Sequence, residues 1–344
     1  MPGPDRPLRR ALDTVRRAVR TAKLWSPGAR MLLGCSGGLD SMVALELLVQ
    51  LRPSLRHGLA IAHVDHGLWP GSVAAVSLVR TAAERHGLAF ASVRLDLAAG
   101  AQLEARARDA RYAALQAMGR DLACDGVVTA HNADDQAETL LLRLARGSGL
   151  DALAGIRRRR DDGDGLLPVV RPLLGLDRPR LRACADSLGL AWHEDPSNAN
   201  IAFTRNDIRH NVLPALEAAV PGAASGLART AEHLAAHEGV LDAWIGRALA
   251  GDLQIGPEGA LLAAAAVPDD PDQIAALLRH VCRRLGAPPP STRAVAQACA
   301  VLSGVGHVPP APGMSTRIKG LDLSRGPLGW HFRSIVVAQT GGAD

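Results

Sequence analysis

The sequence lacks a long apolar run. The longest plausible one covers residues 260–267, far fewer than the roughly 18 residues that a membrane-spanning helix needs. The Arg-rich first 25 residues lack the continuous apolar stretch of a signal peptide. Hydrophobic residues still make up 47% of the 344 residues, enough for a large core and for two or three domains. We therefore predict a cytoplasmic protein.

Cysteine and lysine are scarce. The five cysteines are an odd number without a Cys-x-x-Cys pair, which argues against a disulfide framework and against a zinc or iron–sulfur site. Neither of the two lysines, Lys23 and Lys319, follows a glycine, so the chain has no Walker loop. A formal charge of +5 and a pI near 9.3 fit a polyanionic partner such as nucleic acid but do not require one.

Apolar runs of strand length alternate with helical segments through the first two thirds of the chain. This alternation predicts an α/β fold with a doubly wound parallel sheet. The predicted strands cover residues 31–35, 59–64, 89–95 and 126–130, and the predicted helices cover residues 41–51, 72–86, 103–118 and 135–145.

Charged and proline-rich stretches divide the rest of the chain. Residues 157–165 carry four successive arginines followed by acids and glycines, which predicts an exposed loop. The chain then becomes Ala-rich over residues 226–249, and later proline clusters mark a small terminal module. We predict a catalytic domain over residues 1–215, a helical linker over 216–250 and a small C-terminal domain over 251–344.

The first predicted strand enters a glycine-rich turn and then an apolar helix, an order typical of a phosphate site. Gly37 and Gly38 let the backbone turn, and the N–H groups that open the helix attract an anion. Ser36 and Ser41 would add hydroxyl donors. Asp40 is unusual beside an anion unless a cation accompanies it, so we assign it to Mg²⁺. The ordinary alternative is a turn capped by Asp40 and Ser41.

Polar residues at the ends of two other predicted strands should face this turn, because ligands bind beyond the carboxyl ends of parallel strands. His63 ends the second strand, where nucleotide contact or loop structure explains it better than a zinc site. The acids after the fourth strand would equally complement the dipole of a helix that starts there. That strand is followed by His131, Asp134, Asp135 and Glu138.

Two arginines share one face of the third predicted helix. Arg108 and Arg111 are three residues apart, just before Tyr112, the only tyrosine of the chain. Directed at a triphosphate, they would stabilise charge that develops in a transition state. The alternative is an ordinary solvated basic face.

These motifs together resemble the tRNA(Ile)-lysidine synthetase family of the N-type ATP pyrophosphatase (PP-loop) superfamily. The resemblance spans about residues 30–216, whereas the tail after about residue 251 matches little. Trp69 and Asp207 stand where the family more often has a basic residue. The motifs are Ser-Gly-Gly-Leu-Asp-Ser at 36–41, His-Val-Asp-His-Gly-Leu at 63–68, Ala-Arg-Asp-Ala-Arg-Tyr at 107–112, and the stretches 130–149, 192–198 and 203–210.

The resemblance implies a ligase that attaches L-lysine to C2 of the wobble cytidine of an isoleucine tRNA with a CAU anticodon. The cytosine O2 would attack the α-phosphate of ATP and release pyrophosphate, and the lysine ε-amine would then displace AMP. The implied cofactors are ATP and Mg²⁺, with Mg²⁺ on Asp40. The implied ATP contacts are Ser36, Gly37, Gly38, Leu39, Asp40, Ser41, His63 and His131.

The resemblance also suggests further roles. Arg108 or Arg111 would neutralise phosphate charge, with Asp135 the first and Asp134 the second choice as base for the ε-amine, and with Glu138 as an ammonium anchor. Arg205 would be catalytic, and Arg205 and Arg209 would position the tRNA, unless they pair with Asp207 or with the acids at 194–195. We expect the C-terminal domain to face tRNA, and we leave a homodimer open.

Two other functions remain as alternatives. A tRNA thiolase of the same superfamily would need cysteines to carry sulfur or to hold an iron–sulfur cluster, and the cysteine spacing argues against it. A non-catalytic module that senses ATP would not need the charged groups at the strand ends.

Overall fold

A computed structural model of the chain divides into two compact units, residues 1–235 and 236–344. The boundary falls inside one long helix, Ala223–Ala248. The three-part division by sequence stays a prediction. No helix among the described residues combines the length and apolarity needed to cross a membrane. The described residues are 6–65, 67, 72–95, 103–161, 165–194, 204–256, 258–287, 290–302, 315–318 and 321–334.

The first unit contains a six-stranded, mostly parallel sheet with helices on both faces. Its strands are β1 (Arg30–Gly34), β2 (Gly58–Asp65), β3 (Ala89–Arg94), β4 (Gly126–Thr129), β5 (Arg159–Arg160) and β6 (Val169–Val170). Its helices are α1 (Arg6–Thr21), α2 (Leu39–Leu55), α3 (Ser72–Arg85), α4 (Leu103–Asp121), α5 (Ala133–Ala145), α6 (Leu150–Leu153), α7 (Arg178–Leu188), α8 (Thr204–Asp207), a π-helical turn (Ile208–Val212) and α9 (Leu213–Ala219), after which α10 (Ala223–Ala248) begins.

The strand order is β3-β2-β1-β4-β6-β5, and only β5 runs antiparallel to its neighbour. Successive residues of β1 point to opposite faces, so Met31 and Leu33 pack with α1 and α2 whereas Leu32 packs with α4. Both faces of the central strands are therefore covered, which explains why β1, β2 and β4 are rich in apolar residues. The predicted doubly wound α/β fold is confirmed.

Arg159 and Arg160, within the charged segment predicted to be an exposed loop, form a strand instead. Arg159 and Arg160 form β5 and pair with Val170 and Val169 of β6. Arg158 is half-buried, and its Nη2 lies 2.7 Å from the Glu232 carboxylate. The prediction was wrong here because β5 and β6 have only two residues each, too few to show a periodic pattern.

The second unit contains a five-stranded antiparallel sheet covered by two helices, with Trp330 and Phe332 buried in its core. The sequence predicted a small terminal module without predicting its strands. The strand order is β7-β8-β11-β10-β9. The elements are β7 (Leu253–Gly256), β8 (Gly259–Ala263), a 3₁₀ turn (Ala264–Ala266), α11 (Pro271–Arg284), α12 (Thr292–Leu302), β9 (Ser315–Ile318), β10 (Leu321–Arg325) and β11 (Gly329–Ser334).

Candidate active site

The glycine-rich loop lies where the strand order of the first sheet reverses. The chain leaves β1 towards β2 and β3 and then returns to form β4 on the other side of β1. In open α/β sheets such a reversal opens a crevice at the carboxyl ends of the strands, where ligands bind. The loop after β1 and the start of α5 after β4 flank this crevice.

The loop geometry leaves the start of α2 available to an anion. Gly37 has φ +85°, and a Cβ atom there would lie 3.4 Å from Ala75 and Val79, an ordinary contact distance, so conformation rather than space requires glycine. Gly38 is the N-cap of α2 and has no side chain to bond the first N–H groups of the helix. The helix therefore opens with its dipole and its N–H groups towards the crevice.

The two serines and Leu39 of the predicted ATP site differ in environment. Ser36 is exposed, whereas the buried Ser41 hydroxyl donates to the Gly38 carbonyl oxygen at 2.9 Å. Leu39 is half-buried against the hydrophobic core. Ser41 thus stabilises the loop, and Ser36 is the better placed hydroxyl for a ligand.

Asp40, the predicted Mg²⁺ ligand, has an incompletely satisfied carboxylate. Its Oδ1 is buried without a hydrogen-bond partner among the described residues, and its Oδ2 lies 3.7 Å from Arg178 Nη2. Burial raises the pKa of the Asp40 carboxyl to about 6. No group of three possible ligands from His, Cys, Asp and Glu occurs within the described ranges. This donor set fits Mg²⁺, which typically binds through one or two carboxylates together with substrate phosphates and water.

Asp135 and Glu138 are both paired with arginines. Asp135 Oδ2 accepts the Asn132 N–H at 3.0 Å in a capping box, and its Oδ1 lies 3.0 Å from Arg205 Nη2 and from Arg209 Nη2. Glu138 is fully buried, with carboxylate oxygens 2.8 Å from Arg205 Nε and 2.6 Å from Arg209 Nε. Burial alone would raise the pKa of the Asp135 carboxyl, but the surrounding positive groups outweigh burial and lower it.

Asp134 has a different environment from Asp135. It is half-buried, and its Oδ2 accepts the Arg178 backbone N–H at 2.8 Å. Burial raises the pKa of the Asp134 carboxyl, and the nearby Arg178 only partly offsets this. Of the two adjacent aspartates, Asp134 is therefore the more basic.

The two predicted histidine contacts lie at the base of the crevice. His63 is buried with Nδ1 2.9 Å from the Cys35 carbonyl oxygen, and burial lowers its pKa. His131 Nδ1 lies 2.8 Å from the Thr129 hydroxyl, and burial lowers its pKa as well. Both rings are neutral near pH 7, so they can act as hydrogen-bond partners rather than as cations. His66 of the same motif, Trp69 and residues 195–203 lie outside the described residues.

Arg108 and Arg111, predicted to share one helix face, both lie near the Tyr112 ring. Their guanidinium carbons lie 5.8 and 5.6 Å from the centre of the Tyr112 ring. Arg108 is exposed, whereas Arg111 is half-buried and close enough to His131 and Arg205 to affect their electrostatics. Arg111 is therefore the one that faces the crevice.

Two arginines that the sequence analysis did not single out belong to this region. Arg178, at the start of α7, links Asp40 and Asp134 through its side chain and its backbone N–H. Arg171 directly follows β6, and its Nη2 lies 3.4 Å from the Tyr112 hydroxyl. Arg171 stands at the end of a parallel strand, so predicting β6 would have identified it by the same rule that identified His131.

Comparison with known proteins assigns the family. Residues 11–216 match the family model of the PP-loop domain. A tRNA(Ile)-lysidine synthase of Novosphingobium aromaticivorans is 40% identical over 263 residues, which cover 76% of this chain and 77% of that protein. A second, from Salinispora arenicola, is 40% identical over 279 residues, covering 80% and 83%. The chain belongs to the tRNA(Ile)-lysidine synthase family. The predicted family and enzyme class are confirmed.

Some members of the lysidine synthase family are much longer than the matched region. The synthase of Pseudomonas fluorescens is 40% identical over 233 residues, 67% of this chain but 52% of that protein.

Among solved structures, the U34-tRNA thiolase NcsA of Methanococcus maripaludis has a TM-score of 0.57 with 19% identity, covering 67% of this chain and 80% of that one. At this identity the similarity shows a shared fold only. The five cysteines here are free thiols, and four are buried.

Proposed function

We propose that the protein joins L-lysine to C2 of the wobble cytidine of isoleucine tRNA with a CAU anticodon, using ATP. The observation that carries this proposal is the crevice between β1 and β4. This crevice combines a helix start without a side-chain cap, the unpartnered Asp40 Oδ1 and the Asp134 carboxylate, whose pKa is raised. The chain also belongs to the lysidine synthase family. These groups suit the activation of an oxygen by ATP followed by attack of an amine.

In the first step the cytosine O2 forms a bond to the α-phosphorus of ATP while the bond to the leaving pyrophosphate breaks. The N–H groups at the start of α2 and the Arg111 guanidinium would stabilise the charge that develops on the phosphate oxygens. Asp40 would hold Mg²⁺, which supplies charge neutralisation when it is bound. Arg108, predicted for the same role as Arg111, is exposed and suits this step less well.

In the second step the lysine ε-amine attacks C2 and AMP leaves with its electron pair. An ε-ammonium with a pKa of about 10.4 is almost fully protonated near pH 7, a handicap of roughly 4 kcal/mol. We assign the base to Asp134 rather than to Asp135, because both Asp135 oxygens are already bonded and its pKa is lowered. Glu138 could anchor an ammonium only by exchanging one of its two arginine partners.

The remaining assignments are proposals about the whole protein. Arg205 has 31% of its side chain exposed and Arg209 only 15%, so a tRNA contact suits Arg205 better. L-lysine as the amine, a tRNA-facing second unit and a cytoplasmic location belong to the same proposal. A homodimer stays a prediction.

The decisive measurement is pyrophosphate release with tRNA and lysine supplied separately and together. We expect release with the isoleucine tRNA, lysidine only when lysine is present, and neither product with an isoleucine tRNA whose wobble base is not cytidine. Asp40→Asn should abolish release and keep the melting temperature within a few degrees, because it removes a charge from the partly exposed first turn of α2 rather than a core contact. Full turnover by Asp40→Asn, or release that does not depend on tRNA, would contradict the proposal.

A further inference from the structure

Five arginines of the first unit form a basic cluster around and beside the only tyrosine. Three guanidinium carbons lie 4.9 to 5.8 Å from the centre of the Tyr112 ring, and a fourth guanidinium contacts its hydroxyl. Burial and the nearby Arg108 lower the pKa of the fifth arginine, Arg143. We call this set the Tyr112 arginine cluster, and its members are Arg108, Arg111, Arg143, Arg160 and Arg171.

Neutral groups hold two of these arginines in place. Arg171 is 2% exposed, and its Nη1 donates to the Arg157 carbonyl oxygen at 2.8 Å. Arg143 Nη1 donates to the Gly155 carbonyl oxygen at 3.0 Å and also to that of Ala152. A carbonyl oxygen orients a guanidinium group without cancelling its charge, so positive charge is held at defined positions.

Like charges accumulate in the cluster. Burial lowers the pKa of Arg171, and Arg160 and Arg108 lower it further, against the opposing effect of Tyr112. Burial and the neighbouring Arg108 likewise lower the pKa of Arg111. Asp151 opposes the effect of burial and of Arg108 on the pKa of Arg143. An anion bound here would relieve this repulsion, since phosphate accepts several hydrogen bonds from guanidinium groups.

Other groups in the crevice indicate that this anion belongs to RNA rather than to ATP. The start of α2, after β1, already offers N–H groups to the phosphates of ATP, whereas the cluster lies on the β4 and β6 side and extends to the exposed Arg108. Arg205 and Arg209, the arginines predicted to bind tRNA, are already paired with Asp135 and Glu138. A cluster of several arginines that reaches solvent suits a chain of phosphates better than a single nucleotide.

We propose that the Tyr112 arginine cluster binds the phosphodiester backbone of the substrate RNA beside the reacting cytidine. This inference rests on the proposed function, because it assumes an RNA substrate in the crevice. It assigns RNA binding to Arg108 and Arg160 at the outer part of the cluster, and it leaves Arg111 to the α-phosphate.

The test compares Arg108→Gln and Arg160→Gln with Arg85→Gln, which removes an exposed arginine from the last turn of α3. Each cluster variant should weaken tRNA binding roughly tenfold at 0.1 M salt and should lower the slope of log Kd against log salt by about 0.7 to 0.9. Arg85→Gln should match the wild type. Arg160→Lys should recover most of the slope, because it restores the charge. ATP affinity should not change in Arg160→Gln.

Three outcomes would overturn the inference. The first is an unchanged slope of log Kd against log salt in Arg108→Gln. Because the Arg108 side chain is exposed, this variant should stay folded, so unfolding would not explain such a result. The second is a loss of ATP affinity in Arg160→Gln with normal tRNA binding, which would assign the cluster to ATP. The third is an equal loss in Arg85→Gln, which would indicate a non-specific charge effect. Failure of the proposed function is distinguishable, since the wild type would then form no lysidine at all.

Discussion

At the residue scale, two adjacent acids with different environments offer a way to separate the steps of the proposed reaction. Asp134→Asn should still release pyrophosphate on addition of tRNA and ATP, but lysidine formation should fall at least a hundredfold, because only the second step needs a base. An asparagine can still accept the Arg178 N–H, so the fold should survive. Rapid-quench measurement of adenylated tRNA and of lysidine would show the intermediate accumulating.

Asp135→Asn is the matched control for this prediction. It removes the charge that Arg205 and Arg209 share, so we expect a loss of stability of about 3 kcal/mol and impairment of both steps together. If Asp135→Asn instead blocked only the second step at unchanged stability, the base would be Asp135, as the sequence analysis first predicted.

At the element scale, the loop between β1 and α2 depends on one glycine for its shape. Gly37 and Gly28 both have positive φ, +85° and +93°, so an alanine at either position should cost about 1–2 kcal/mol of backbone strain. Gly37 lies in the loop between β1 and α2, beside the crevice, whereas Gly28 precedes β1 at the other end of that strand. We therefore expect both variants to lose stability but only Gly37→Ala to bind ATP more weakly.

Calorimetric titration with ATP, alongside a melting curve for each variant, would test this comparison. Equal ATP affinity in the two glycine variants would show that the conformation of Gly37 does not matter for nucleotide binding.

Helix α8 and the π-helical turn after it connect to α5 through ion pairs. Arg205 in α8 and Arg209 in the π-helical turn are four residues apart, so both reach the same two carboxylates of α5. From the sequence, the predicted ion-pair partners of these arginines are Asp207 or the acids at 194–195. The actual partners are about 70 residues away along the chain, and only folding brings them together.

At the scale of the whole molecule, a buried histidine makes stability depend on pH. His57 packs beside Trp25, with ring centres 5.4 Å apart, and neither of its ring nitrogens has a hydrogen-bond partner among the described residues. Burial, aided by Arg52, lowers its pKa to about 4. Between pH 6.5 and 4 the unfolded chain therefore binds more protons than the folded chain, and stability falls as the pH decreases through that window.

His57→Phe should remove this dependence. From pH 8 to pH 5 the wild type should lose about 2 kcal/mol more of its free energy of unfolding than the variant does. Urea unfolding at both pH values, followed by tryptophan fluorescence and circular dichroism, would measure the difference. Identical losses in the two proteins would mean that His57 is protonated normally in the folded state.

The sequence determined the elements whose signals are local. Apolar runs of strand length marked β1 to β4, the glycine pair marked the loop before α2, and the motifs identified the family, because each of these depends on residues that are neighbours in the chain. The rule that ligands bind at the carboxyl ends of parallel strands also predicted that His131 and Asp134 lie beside the loop.

Only the tertiary structure decided which charges meet. Asp134 and Asp135 are adjacent in sequence, yet burial raises the pKa of the first despite Arg178, while Arg205 and Arg209 help to lower the pKa of the second. Likewise β5 and β6, at two residues each, carry no periodic pattern, but their pairing brings Arg160 to the Tyr112 ring and places Arg171 against its hydroxyl. A pKa depends on burial and on charges a few ångströms away, and neither can be determined from sequence separation.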